Sequence, residues 1–224
     1  ATRRNEILLI DVQANQVRQR VAVGVAPFMV LPILDQKLIL VSNWGGHPPK
    51  PTDPQGVSSG TPIRVDPKTW AANDGTLSIV EPHGDQWRET GLIQVGLHPC
   101  AMVRRGDLVY VACANSDSVS VVSLSKRTAI GTISTKPDAR LPFGSGANAL
   151  ALARDGRTLF VANGTNNAVA VVKLGRDHVA DASADVPATS QVSGFIPVGW
   201  YPGALALDRE EKTLFVANIK GHGS

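Results

Sequence analysis

One short pattern is written three times along this 224-residue chain, with a fourth, looser copy. Pro202-Gly203-Ala204-Leu205-Ala206-Leu207 is followed by a charged tip, Asp208 to Lys212, and then by Thr213-Leu214-Phe215-Val216-Ala217-Asn218. The same order recurs in Ala147 to Leu152, Arg154 to Arg157 and Thr158-Leu159-Phe160-Val161-Ala162-Asn163. A shorter copy runs from Pro99 to Val103 and from Leu108 to Cys113, and a diverged one from Pro27 to Leu31 and from Leu38 to Asn43. A unit of this size cannot bury its own apolar face, so it must stack on its copies.

Each copy continues with a Val-rich segment, such as Ser118 to Val122 or Ala168 to Val172. It closes on an Ile-rich segment ending in a small residue, such as Ile93 to Gly96 or Ile196 to Gly199. These segments are β-favouring, with Gly, Pro, Asn and Asp between them, and none holds a helical apolar period. Four antiparallel strands per unit of about 40 residues are the mark of a β-propeller blade. The predicted architecture is therefore all-β and partial. Three full blades cover 26–95, 99–133 and 147–198. Strands at 6–12 and 17–23 form the outer half of a preceding blade, and strands at 203–207 and 213–218 the inner half of a following one. Residues 1–224 read as a single incomplete domain with insertions at 44–74, 134–146 and 175–193. Two half blades would leave open sheet edges, so the chain is expected to belong to a longer one.

Composition narrows the classes. A hydrophobic fraction of 43% is ample for a core. The net charge is only +3, and the arginines at positions 3, 4, 18, 20, 104 and 105 scatter over strand edges and turn tips. That distribution argues against a nucleic-acid partner. The longest apolar run, Val21 to Leu34, holds Gly24, Pro27 and Pro32 and is too short and broken for a membrane span. No secretory signal precedes the first strand, so a mature or excised segment is expected. Cys100 and Cys113 bracket one hairpin. A disulfide would need Cα atoms within about 7 Å, and two buried thiols are the favoured reading.

The strand ends Tyr110-Val111-Ala112-Cys113, Phe160-Val161-Ala162-Asn163 and Phe215-Val216-Ala217-Asn218 resemble the Tyr-Val-Thr-Asn signature of YncE-like, YVTN-repeat β-propellers. Ser42 to Gly46, Ser59 to Pro62, Leu141 to Gly144, Gly199 to Pro202 and the closing Ala217 to Ser224 resemble one subgroup more closely. In that subgroup the propeller is fused to a phosphoesterase of the alkaline phosphatase superfamily. The resemblance implies export to the periplasm or cell exterior of a bacterium, and a hydrolase domain of the same full-length chain beyond Ser224. Cys113, where Asn is usual, and the shortened tip at Arg104 to Asp107 depart from the pattern.

Strand alternation predicts that loops entering the innermost strand share a face with loops joining the second and third strands. That face would carry Trp44, His47, His98, Arg140, Phe143, Trp200, Tyr201, Lys220 and His222. Aromatic bodies with a few polar groups on loops of a rigid scaffold suit ligand or partner binding, while Trp44 and Trp200 also suit plugs between blades. His47, His98 and His222 lack compact ligand spacing, so no metal is expected, and nothing points to a cofactor. The adjacent Glu210 and Glu211 read as a solvated tip, and the sequon Asn163-Gly164-Thr165 as part of a turn. The expected function is a non-catalytic scaffold that binds a small-molecule ligand, the missing blades or a hydrolase domain. A propeller-lactonase-type hydrolase is the alternative. It would need metal ligands and acid–base groups on innermost strands that read as apolar. A structural envelope protein is the third reading.

Overall fold

A computed structural model describes residues 2–58, 60–176 and 189–221, in two compact units, Ala1–Pro99 and Cys100–Ser224. In the first unit β1 (Glu6–Asp11) and β2 (Gln16–Ala22) form a hairpin. A four-stranded antiparallel sheet follows from β3 (Val25–Ile33), β4 (Leu38–Gly46), β7 (Thr76–His83) and β8 (Gln86–Gln94), paired in that order. Between β4 and β7 the long insertion holds its own hairpin, β5 (Gln55–Ser58) and β6 (Thr61–Arg64). Sequence reading expects there only a short extended segment over Gly60 to Asp66. The hairpin forms because Ile63 and Val65 find partners in Val25 and Ala26, with Trp44 and Ala72 packed around them. The main core joins Ile7, Val21 and Val23 of the first hairpin to Ile39, Val41 and Val80 of the sheet.

The second unit contains two four-stranded sheets and a hairpin. The first sheet is β9 (Pro99–Arg105), β10 (Leu108–Cys113), β11 (Ser118–Ser123) and β12 (Thr128–Ser134). The second is β13 (Ala147–Leu152), β14 (Thr158–Asn163), β15 (Ala168–Lys173) and β16 (Gln191–Pro197), and the hairpin is β17 (Pro202–Leu207) with β18 (Leu214–Asn218). Tyr110, Val119, Val121 and Ile133 pack against Leu150, Leu159, Val161 and Val172 in one core. The three full sheets and two half sheets fall where the repeat places them. Cys100 and Cys113 are both buried, as thiols.

The structure explains two marks of the repeat. Asparagines ending second strands are buried: Asn43 Nδ2 donates to Ser78 Oγ at 2.9 Å, and Asn163 Nδ2 donates to the Thr135 carbonyl at 2.7 Å. Glycines ending outer strands lie against them. A Cβ on Gly24 would stand 2.5 Å from Asn43 Nδ2, and one on Gly199 2.7 Å from Asn218 Nδ2. Asn163 is 0% exposed, so the sequon is a packing residue closed to modification. Glu211 corrects another expectation, because its carboxylate accepts the Arg154 amide at 2.6 Å and joins two hairpin tips.

A second device is invisible in the repeat pattern. Asn5, Asp117 and Asn167, each just before a third strand, are left-handed, with φ of 53°, 49° and 53°. Their carbonyls accept from Val23, Thr135 and Val198, all at 2.9 Å, which closes the end of the outer strand. Their side-chain oxygens accept from Ala26 N, Gly146 N and Tyr201 N at 2.9–3.0 Å. Those three residues enter the next inner strand and are left-handed themselves, at 54°, 66° and 56°. One Asn or Asp thus clasps two strand junctions.

Replacing Asn167 with Ala should remove about 1 kcal/mol for the bond and about 1 more because Ala tolerates the left-handed region less well than Asn. Asn167→Gly loses only the bond and should cost about half as much. Urea unfolding of the two variants checks this: equal losses would show that the left-handed conformation costs alanine nothing extra, and an Asn167→Gly chain as stable as the parent would show that the bond contributes nothing.

Candidate functional site

The clasp has one exception, and it builds the candidate site. At the fourth junction the equivalent residue is Gly75, whose carbonyl still accepts from Val95 at 3.0 Å but which has no side-chain oxygen. The carboxylate stands one residue earlier, at Asp74, which is buried. Its Oδ2 accepts from the His47 amide and the His47 Nδ1 at 2.9 Å each, and from Arg64 Nη1 at 3.2 Å. Its Oδ1 accepts from Gln94 Nε2 at 3.0 Å and from the Gly75 amide at 2.9 Å. Arg64 Nε reaches on to Asp53 at 3.3 Å. One carboxylate therefore ties both ends and the middle of the insertion to the end of β8. Burial pushes its carboxyl up, but the His47 amide, the Gln94 amide and the His47 ring outweigh that and hold it below the usual 3.8. Because His47 Nδ1 donates to Asp74, Nε2 of a neutral ring is left as an acceptor on a half-exposed side chain.

Trp44 lies between two rings, stacked on Phe28 at 4.4 Å and edge-on to His98 at 4.1 Å. Phe28 is exposed, at a stretch where the β3–β4 register shifts, so it belongs with the candidates although sequence reading passes it over. The Trp44 Nε1 proton is buried without a partner among the described residues. Trp44 and His98 line a cleft of about 80 Å³ with Ala26, Gly45, Ser58, Ile63 and Ala72. That is well below the ~300 Å³ of a drug-sized site, so in Trp44 packing outweighs binding.

The insertion presents a surface that sequence reading missed. Trp70 is 68% exposed and Val57 75% exposed. Trp70 has a φ of 57°, a costly conformation for a bulky residue. The turn beneath it enforces this: Asp66 accepts from the amides of Lys68 and Thr69 at 2.9 and 2.8 Å, and its carbonyl accepts from Trp70 N at 2.9 Å. The Asp66-Pro67-Lys68-Thr69 turn was the available signal, an aspartate capping the next amides just before an aromatic residue.

In the second unit Tyr201 and Lys220 come together, with Nζ 5.4 Å from the ring centre. Trp200 is 43% exposed and exchanges backbone bonds with Lys220 and Gly221. Phe143 is exposed on the loop whose end, Gly144 to Gly146, donates three amides to Asp117 at 2.7–3.0 Å. Arg140 is spent on its neighbour, with Nη2 2.6 Å from Asp138, and this pairing holds the Asp138 carboxyl below its usual value. His222 lies outside the described residues, as does most of the 175–193 insertion. Among the described residues no group of three or more His, Cys, Asp or Glu side chains is placed to hold a metal ion.

No family model matches the chain, and no curated protein sequence does. Solved structures do. The periplasmic gluconolactonase of Pseudomonas aeruginosa is 17% identical, with a TM-score of 0.63 over 95% of this chain and 56% of its own. A candidate 6-phosphogluconolactonase of Bacteroides uniformis is 14% identical, with a TM-score of 0.62 over 95% and 56%. The Dos1 propeller is 10% identical, with a TM-score of 0.61 over 99% and 46%. The chain has the fold of a partial β-propeller. It spans about half the length of these structures, and at such identities the likeness carries the fold alone. No helix among the described residues is long and apolar enough to cross a membrane.

Asp74→Asn should loosen the insertion and leave the sheets intact. A depressed folded pKa gives stability that is present above 3.8 and lost as pH falls through the lower folded value. Protection of the His47 amide from hydrogen exchange, relative to a free amide at the same pH, should therefore fall below that pH in the native chain. In Asp74→Asn its protection should be lower by about ten-fold or more at neutral pH and should not fall further in acid. Identical profiles would remove Asp74 from its tying role.

Proposed function

We propose that the chain is the binding scaffold of a longer, exported β-propeller protein, with the 44–74 insertion as the docking element. The observation that carries this is Trp70, exposed at the tip of an ordered turn in a strained backbone, on an insertion fixed by a buried carboxylate. Exposed aromatic residues on rigid supports are the usual anchors of interfaces. The YVTN-like repeat and the subgroup segments support a phosphoesterase domain of the same polypeptide as the partner. Export is supported by the resemblance and by the periplasmic lactonase among the similar folds.

A second reading, lactone hydrolysis, is favoured by two lactonase names among the similar structures and by His47. Its ring is oriented by Asp74 and offers a free acceptor nitrogen. The described first strands argue the other way. β9, β13 and β17 carry Ala101, Met102, Leu150, Leu152, Leu205 and Leu207; their polar members are Arg104 and Arg105 at the end of β9 and Asn148 on β13.

The intact mass of the native protein comes first: a value near 23.6 kDa would end the fusion reading. In the full-length protein, Trp70→Ala with Val57→Ser should weaken association of the partner domain by about ten-fold or more without lowering thermal stability. Removing 48–73 should release it. Association unchanged after that deletion overturns the docking role. Hydrolysis of gluconolactone that His47→Gln abolishes would establish the second reading in its place.

A further inference from the structure

A cleft of about 490 Å³ opens in the first unit, away from the insertion, between the tip of the β1–β2 hairpin and the tip of β7–β8. Its volume lies in the range of small-molecule sites. The floor is preformed. The Gln19 side chain bonds twice to the Trp87 backbone, Nε2 to the carbonyl at 2.7 Å and Oε1 from the amide at 2.9 Å. Leu9 and Trp87 rest on the core of Ile7, Val21 and Val80 beneath. Ile10, more than half exposed, adds an apolar wall.

The rim carries opposite charges from the two hairpins, Arg18 from one and Asp85 from the other. Arg18 is the extra residue of a β-bulge, since Leu9 pairs with Gln19 and Ile10 with Val17. Bulges at the same step of the other outer strands fall on Thr90, Ile130 and Ser193. Only in this outer strand does the bulge aim a cation, and bulges re-aim side chains. Among the described residues neither Arg18 nor Asp85 has an ion-pair or hydrogen-bond partner. Their neighbours are engaged: Arg20 pairs with Glu6 at 2.6 Å, and Asp11 accepts the turn amides of Gln13 and Ala14.

We propose that this cleft binds a small zwitterion, a free amino acid or a short peptide with both ends unblocked. The ligand carboxylate would pair with Arg18 and its ammonium with Asp85. Its apolar part would lie along Ile10, Leu9 and the exposed side of Trp87. A single-charge ligand would satisfy only one of the two rim groups, and a neutral one neither. A guanidinium also matches a carboxylate better than any neutral group does.

Titration calorimetry with leucyl-leucine on the intact chain tests this, with the N-acetyl and C-amide derivatives as controls. Saturable one-to-one binding is expected, and blocking either end should weaken it by about ten-fold or more, as loss of a charge-assisted bond does. Arg18→Gln should weaken the free dipeptide as amidation does and leave the affinity for the amide unchanged. Asp85→Asn should do the same for the acetylated form. Both side chains are exposed, so far-UV circular dichroism should not change. Free leucine binding as tightly as the dipeptide assigns the cleft to amino acids, and tighter dipeptide binding assigns it to peptides. Absence of saturable binding at millimolar dipeptide overturns the proposal, as do blocked derivatives that bind as well as the parent or variants that change nothing. A chain lacking 48–73 should bind unchanged, which separates this result from the fate of the docking insertion.

Discussion

The clasp between a left-handed Asn or Asp and the start of the next inner strand orders the loops of this fold. Within each unit, strand pairing alone leaves neighbouring sheets separate, joined by apolar contact that is indifferent to small slides. The side-chain oxygens of Asn5, Asp117 and Asn167 remove that freedom at the junctions, where a backbone amide would otherwise lack a fixed partner. Apolar burial supplies most of the free energy, and these few polar bonds decide where the loops stand.

The same chemistry grades into the candidate site. Asn5 and Asn167 each use the side-chain oxygen for one amide. Asp117 takes three, and so fixes the end of the Phe143 loop as well as the junction. At Gly75 the side chain is gone, and Asp74 beside it holds two backbone amides, an imidazole, a guanidinium and a glutamine. Loop elaboration in this chain tracks the number of donors that a single buried oxygen pair accepts. A carboxylate has about four acceptor sites, and Asp74 uses more donors than either asparagine could.

The blades were legible because the period-2 pattern and the recurring tips repeat. Ala-Leu-Ala-Leu and Phe-Val-Ala-Asn carry strand type and buried face together. The β5–β6 hairpin was not legible, because Gln55 to Ser58 has no apolar alternation and pairs only once Ile63 and Val65 find Val25. Of the candidate residues, Trp44 with His98 and Tyr201 with Lys220 do meet, as loops entering neighbouring strands should. Asp74 escaped notice since nothing in Asn73-Asp74-Gly75 distinguishes a buried hub from an ordinary turn. Its role comes from His47, Arg64 and Gln94, at separations of ten to twenty-seven residues, which no local pattern encodes.

The placement of Gln94 on Asp74 has a mechanical consequence. A load applied to the insertion reaches Asp74 through His47 and Arg64, and leaves it through Gln94 and Gly75 at the ends of β8 and β7. The chain itself also runs from the insertion into β4 at Gly46 and into β7 at Thr76, so the strand ends share that load with the polar bonds. Tension on the insertion therefore acts on these charge-assisted bonds and on the packing of Ile63 and Val65 against Val25 together. The chain holds its longest loop by two attachments of different kind, an apolar seat of Ile63 and Val65 on Val25 and a set of polar bonds gathered on one carboxylate.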